Sequence, residues 1–266
     1  MSKHWQGKRV VITRPLESIK DTAAAITQKG AIPVPLPCIR REAISLPEAV
    51  QQEWRSRFEF DWIFFTSAFA VRRFCEVLHQ LNLTLPLRTR VAAIGEKTAQ
   101  AARRAGLKVA FVAPPGDSVH FVRHFLKHRF SVQRVLHPTG RQAEGQLEEE
   151  LHKAQIPCTR VDLYENRPCV TPDMLQQALA EPVHALTFFS GSAVRAFFTC
   201  AARTPAISLT GVPVVVLGKQ TAEAAREFAA RPVVVAPEAT LNGIITALDR
   251  CFIALHTQQD HSMRLI

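Results

Sequence analysis

Long apolar runs are missing from this chain. VVITRP, WIFFTS and VPVVVLG each stop well short of the roughly 20 residues that a membrane-spanning helix needs. The opening stretch, MSKHWQGKRVVITRP, holds no apolar signal-peptide core. No CxxC pair occurs among the six cysteines, Cys38, Cys75, Cys158, Cys169, Cys200 and Cys251. Scattered thiols of this kind argue against thiolate-bound zinc and for reduced side chains packed as small apolar groups. The expectation is a soluble, cytoplasmic protein. Neither GxxxxGK[ST] nor GxGxxG follows any strand-like run, which removes the standard nucleotide-phosphate cradles. Ser190 in FFSGSAV lacks the flanking glycines of a GxSxG nucleophile turn. Tyrosine is nearly absent too: Tyr164, in VDLYENRP, stands alone against sixteen phenylalanines. A phenylalanine would supply the same ring, so the hydroxyl needs a reason.

What is present is a globular composition, 47% hydrophobic and 21% charged, which is neither disordered nor fibrous. The formal charge is +10 and the sequence pI about 9.8. Such a balance suits nucleic acid, an anionic membrane surface or a strongly acidic small molecule. The basic residues are dispersed, however, and no Lys/Arg run is interleaved with aromatics.

The chain repeats itself in register. FTSAFAVRRF starts at Phe65 and FFSGSAVRAF at Phe188, 123 positions on. VAAIGEKTAQAARR at Val91 returns as VVVLGKQTAEAARE at Val214, and VAP at 112–114 returns at 235–237, both with the same offset of 123. RVVITRP (9–15) and GAIPVP (30–35) are echoed more loosely by RVLHPTGR (134–141) and AQIPCT (154–159). Each copy alternates short β-rich runs with helical patterns; in the first, Gly30 and Gly106 serve as helix stops and Asp117 or Ser118 as a cap. Apolar strands alternating with helices of this length predict α/β architecture with parallel sheets covered on both faces. The pattern fades after about residue 250, which predicts a loosely ordered tail over 251–266.

In such sheets ligands bind outside the carboxyl ends of the strands, at the turns into helices. There this sequence places Thr13-Arg14, Thr66-Ser67, Gly95 with Thr98, Thr139-Gly140-Arg141, Ser190-Gly191-Ser192, and Gly218 with Thr221. Serine and threonine at a single turn indicate ordinary capping. Their duplication, with the excess positive charge, points to a polyanionic ligand held at helix N-termini. His120, His124 and His128 sit at helical spacing on the flank of the Phe121, Val122, Phe125, Leu126 stripe, which reads as a solvated edge rather than a metal face. LEEELHKA (147–154) is a charged helix face, not a carboxylate dyad.

ITRP (12–15), FTSAFAV (65–71), AIGEKTAQAA (93–102), LYENRP (163–168), FFSGSAV (188–194) and VLGKQTAEAA (216–225) occur in the order seen in uroporphyrinogen-III synthases, and up to about residue 250 the chain resembles that family. The resemblance implies two flavodoxin-like α/β domains with parallel sheets, joined by a two-stranded antiparallel linker, with the active site in the cleft between them. The first domain would be discontinuous, 1–37 plus 168–250; the second would be 42–161; the linker strands would be 38–41 and 162–167. The sequence repeats would then not coincide with the spatial domains. The proline-rich PVPLPCIRR suits an extended connection.

The activity implied is that of a lyase: cyclisation of hydroxymethylbilane, with inversion of ring D, to uroporphyrinogen III, using neither metal nor cofactor. Its substrate is a carboxylate-rich linear tetrapyrrole; the further implied partner is hydroxymethylbilane synthase, transiently, with no nucleic acid and no membrane, and the protein would be a monomer. Tyr164 matches the tyrosine thought to aid departure of the hydroxyl, and a phenol keeps its proton at pH 7 and can donate it. Ser67 and Ser190 match the paired F-[TF]-S turns and Thr98 and Thr221 the paired G-x-x-TA motifs. With Arg14, Thr66, Gly140, Arg141, Gly191 and Ser192 they make up the substrate-binding set. The sequence departs from the family at Ala68 and Gly191, where many members carry proline after the serine. Two readings of other classes stand beside the enzyme: a non-catalytic module of the same fold that binds an anionic ligand, and a basic nucleic-acid-binding protein, which would show salt-sensitive retention on DNA.

Overall fold

The computed structural model describes residues 3–204, 207–230 and 232–263. The chain divides into two compact units, Met1–Arg40 with Arg167–Ile266, and Arg41–Asn166. Eleven strands and ten α-helices follow one another among the described residues. They are β1 (Arg9–Ile12), α1 (Leu16–Lys29), β2 (Ile32–Pro35), β3 (Ile39–Ala43), α2 (Glu48–Ser56), β4 (Trp62–Phe65), α3 (Ala68–Gln80), β5 (Arg90–Ile94), α4 (Gly95–Arg104) and β6 (Val109–Ala113). Then come α5 (Ser118–Leu126), β7 (Val135–Gly140), α6 (Gln146–Lys153), β8 (Cys158–Pro168), α7 (Pro172–Ala178), β9 (Ala185–Phe188), α8 (Gly191–Ala201), β10 (Val214–Val216), α9 (Lys219–Glu227), β11 (Val233–Val235) and α10 (Leu241–Met263).

The first unit contains a five-stranded sheet in the order β11-β10-β9-β1-β2, and every pair in it is parallel. Its strands are mostly apolar, with Arg9 and Thr187 the exceptions, because both faces are covered. Val11 and Leu186 enter one core with Val194 and Phe197 of α8, while Val10 and Ile12 enter another with Ile26 of α1 and Ile244 of α10. Alternation along a single strand thus feeds two cores. α1 stops at Gly30, whose φ of 95° is open to glycine and whose N–H closes the last turn on Thr27.

The second unit carries the order β3-β8-β7-β4-β5-β6. β4 runs parallel to β5 and β7, β5 to β6, and β7 to β8. In β4, Trp62 and Phe64 face one core with Phe121 and Phe125, and Ile63 and Phe65 face the other with Phe74 and Trp54. The outermost strand, β3, is followed by a bond from the Ile44 N–H to the Leu163 carbonyl, while Cys169 N–H donates to the Cys38 carbonyl. As one index rises the other falls, so the two segments run in opposite directions.

Setting β1, β2, β9, β10 and β11 against β7, β8, β4, β5 and β6 matches the two sheets strand for strand, and both take the flavodoxin-like order with one switch point. The switch falls between β1 and β9 in the first unit and between β7 and β4 in the second. Each sheet therefore takes its first two strands from one sequence repeat and its last three from the other.

Where the fading pattern predicts a tail from residue 251, α10 instead continues to Met263. Phe252 is fully buried and meets the Trp5 ring edge-on at 5.0 Å. One turn before it, Asp249 accepts from Trp5 Nε1 at 2.6 Å and lies 2.8 Å from His4 Nε2; the Trp5 bond first, then that of His4, holds its carboxyl below the usual range. The packing partner lies 247 residues away in sequence, beyond the reach of a local pattern. Among the described residues no helix is long and apolar enough to cross a membrane. Phe252→Ala is expected to destabilise the protein by about 3–5 kcal/mol, as loss of a buried aromatic does. Denaturant titration checks this, and a change under about 0.5 kcal/mol, the ordinary effect at a solvated position, would show the segment to be a loose tail after all.

Candidate functional site

Tyr164 sits on β8, and its position is set by an irregularity in the ladder. β7 and β8 pair residue for residue from Val135↔Cys158 to Thr139↔Asp162, and then Gly140 pairs with Tyr164, skipping Leu163. A bulge of this kind re-aims the side chains beyond it. Strict alternation would send Leu163 and Tyr164 to opposite faces, yet both pack against the same core, Leu163 fully buried and Tyr164 half-buried. The phenol ring then lies across β7 at Gly140. A Cβ at Gly140 would come 2.7 Å from Tyr164 Cε2 and 2.9 Å from Cζ, closer than carbon atoms approach. Beyond Gly140, Tyr164 Oη is 3.4 Å from Ser67 Oγ at the end of β4, and Phe69 meets the ring edge-on at 4.7 Å. Ser67 caps α3 by accepting from the Ala70 N–H at 3.1 Å, so its own hydroxyl hydrogen can be turned to Tyr164 Oη. That would leave the phenol O–H able to donate elsewhere.

The turn after β7 is held to β8 by a residue that no sequence pattern singles out. Arg160 donates to the Gly140, Arg141 and Ala143 carbonyls at 3.2, 2.9 and 2.8 Å and to Asp162 at 2.9 Å. Its partners are mostly backbone atoms, which leave no trace in the identity of neighbouring side chains. Arg141 N–H donates to the Tyr164 carbonyl at 2.8 Å, and its guanidinium pairs with Glu165 at 3.0 Å.

The first unit presents a related arrangement at its own switch point. Thr13 Oγ1 donates to the Thr187 carbonyl at 2.8 Å and Thr187 Oγ1 to the Val11 carbonyl at 2.7 Å, locking β1 to β9. Arg14 follows, its guanidinium 4.2 Å over the Phe189 ring, with Nη1 3.2 Å from Thr22 Oγ1. Ser190 caps α8 through the Ala193 N–H at 3.3 Å and lies 3.1 Å from Ser192 Oγ. Gly191 opens that helix, and a Cβ there would crowd Arg195 and Ala224.

Thr98 and Thr221 behave differently. The sequence places them at open helix starts, but both lie inside the first turns of α4 and α9, with 5% and 7% of their surface exposed. The capping positions are Ile94 and Gly218, neither of which supplies a side-chain cap. Anion binding at those turns would therefore rely on backbone N–H groups. Thr66 lines a cavity of about 340 Å³ together with His137 and Glu148. His137 Nδ1 is 2.7 Å from Glu148, and although burial opposes the Glu148 charge, the His137 ring, the backbone N–H and Arg160 together outweigh it and leave the carboxyl below its ordinary range. The histidine stripe of α5 is a flank: His120 bonds to Asp117 at 2.8 Å, and His124 and His128 rest against Phe111. Burial pushes the Cys158 thiol up to about 12 and Cys38 well above its usual value, so neither offers a thiolate. Among the described residues no group of three or more His, Cys, Asp or Glu could hold a metal ion.

Two doubly wound parallel sheets, each with polar helix starts gathered beside its switch point, define an α/β protein of the doubly wound class. The chain belongs to the uroporphyrinogen-III synthase family, lyase-class enzymes of tetrapyrrole biosynthesis; the family model described as Uroporphyrinogen-III synthase HemD matches residues 20–246. It is 28% identical over 256 residues to the porphyrin biosynthesis protein HemD of Ruminiclostridium josui, across 93% of this chain and 49% of that protein. It is 27% identical over 254 residues to the uroporphyrinogen-III synthase of Synechococcus elongatus, across 92% of this chain and 95% of that protein. The chain thus spans about half the length of the Ruminiclostridium relative and nearly all of the Synechococcus one. A mutant uroporphyrinogen III synthase of Thermus thermophilus superposes with a TM-score of 0.59 at 24% identity, over 93% of this chain and 100% of that one. The uroporphyrinogen-III synthetase of Helicobacter pylori gives 0.59 at 18% identity, over 91% and 97%. These two likenesses establish the fold.

Gly140 has no positive φ, so alanine meets no backbone obstacle there, only the Tyr164 ring. Gly140→Ala is expected to cost about 1–3 kcal/mol, the usual penalty of overpacking. In a Tyr164→Ala background that cost should vanish, and a thermodynamic cycle by denaturant unfolding reads the coupling directly. Equal costs in the two backgrounds would mean that the ring does not rest on Gly140.

Proposed function

We propose that this chain is a uroporphyrinogen-III synthase: it closes hydroxymethylbilane into uroporphyrinogen III with inversion of ring D, acting as a cytoplasmic monomer that meets hydroxymethylbilane synthase transiently. The observation that carries the reading is the Tyr164 hydroxyl, brought by the bulge and by bare Gly140 to the capped start of α3. The substrate bears an acetate and a propionate on each pyrrole. Helix N-termini capped by Ser67 and Ser190, with Arg14 and Arg141 nearby, suit such a polyanion. Tyr164 donates its phenolic hydrogen to the departing hydroxyl of the hydroxymethyl group. The Ser67 hydroxyl, turned to Tyr164 Oη, steadies the negative charge that grows there as the proton moves. Loss of that water leaves an azafulvenium, which the terminal ring attacks at its substituted carbon; the spiro intermediate fragments and recloses, and the proton that the terminal ring gives up on closure returns to the Tyr164 phenolate. The remaining work is to fold the chain into a reactive conformer, which is a matter of positioning.

On this reading Tyr164→Phe keeps the ring on Gly140 and removes only the donor. Turnover of hydroxymethylbilane is expected to fall about tenfold to a hundredfold in kcat, at the low end of general-acid effects, with KM little changed. Steady-state kinetics of the two proteins test this, and an unchanged kcat removes Tyr164 from the mechanism.

A further inference from the structure

Phe69, the second residue of α3, carries more than its contact with Tyr164. The Arg41 guanidinium lies 4.9 Å from its ring centroid and that of Arg72 5.5 Å. Two cations are thus gathered around the one ring that also meets Tyr164. A guanidinium stacked on an aromatic face keeps its donors in the plane of its edge, where the fork fits a carboxylate.

The first unit has a counterpart, Arg14 over Phe189, also next to a serine cap. The rings are not copies of one another. In the repeat Phe189 corresponds to Thr66, and Phe69 corresponds to Ser192. Each unit therefore puts a guanidinium on an aromatic ring beside its switch point by using different positions, so the recurrence is not a relic of duplication. Chemistry common to both units accounts for it better than shared descent.

We propose that Arg41 and Arg72, seated on Phe69, form a carboxylate subsite that holds the pyrrole bearing the hydroxymethyl group, with Arg14 on Phe189 as its counterpart in the first unit. The inference rests on the synthase reading given above. That pyrrole carries its acetate and propionate on the same five-membered ring as the leaving group, so a phenol reaching the hydroxyl needs cations close by for the carboxylates. The Phe69 cluster supplies them one ring away from Tyr164.

The test uses the full chain with Arg72→Ala, Arg41→Ala and Phe69→Leu, and Arg104→Ala as control, which removes the same charge from the exposed last turn of α4. Binding of uroporphyrin III, an octacarboxylate, is followed by fluorescence titration, and hydroxymethylbilane turnover gives KM and kcat. Arg72→Ala and Arg41→Ala are each expected to raise both Kd and KM about five- to tenfold, with a smaller effect on kcat. Phe69→Leu keeps both charges but removes their platform and should weaken binding as well, while Arg104→Ala binds like the wild type. Arginine variants that bind within about twofold of a wild type that does form the III isomer overturn the subsite and leave the synthase reading standing. A wild type that forms no III isomer overturns the synthase reading and the subsite with it.

Discussion

Tyr164 reaches its partner by crossing a strand. It leaves β8, passes over β7 and brings its hydroxyl to the end of β4, although strands two apart in a sheet are separated by about 9–10 Å. A tyrosine can span that gap only if the middle strand has no side chain in the way and the ring is aimed along the sheet. Gly140 meets the first condition and the skipped residue Leu163 the second. Arg160 donates to three carbonyls between Gly140 and Ala143 and so ties that turn to β8. The hydroxyl is therefore placed by backbone geometry on two strands and by one guanidinium. None of these three groups needs to touch a substrate.

The same economy runs through the fold. A duplicated sequence yields two sheets with one strand order, yet each sheet draws on both copies, because the chain leaves the first unit after β2 and returns to it after β8. The switch point of each sheet thus joins a strand from one repeat to a strand from the other: β1 with β9, and β7 with β4. Thr13 and Thr187 tie the first of these junctions with reciprocal bonds to backbone carbonyls. In the second, Tyr164 and Ser67 meet beyond Gly140. Residues from the two repeats that would look remote in a linear reading become neighbours at the place where parallel α/β sheets offer their helix N-termini to ligands.

Much of this was legible in the sequence. Strands such as Trp62–Phe65 and Val214–Val216 are continuous apolar runs because both faces of each sheet are covered, and that pattern is local. Gly30, Asp117, Ser67 and Ser190 announce helix ends through chemistry confined to a few residues. The remainder depends on contacts distant in sequence. Phe252 belongs to a core through Trp5, at the other end of the chain. Thr98 and Thr221 look like open caps by spacing, but each helix begins before them and its first turn buries them. Arg41 and Arg72 are two cations among many until Phe69 is seen beneath them. A missing side chain at Gly140 acquires meaning only from the tyrosine of another strand.

On the synthase reading, this scaffold steers a linear tetrapyrrole to closure with one ring inverted. Hydroxymethylbilane left alone closes without inversion, so the product isomer reports directly on the protein. The decisive measurement is separation of the porphyrins obtained, after oxidation, from hydroxymethylbilane incubated with the purified full chain. The III isomer is expected to predominate; a mixture containing only the I isomer, as in the protein-free control, would overturn the synthase reading.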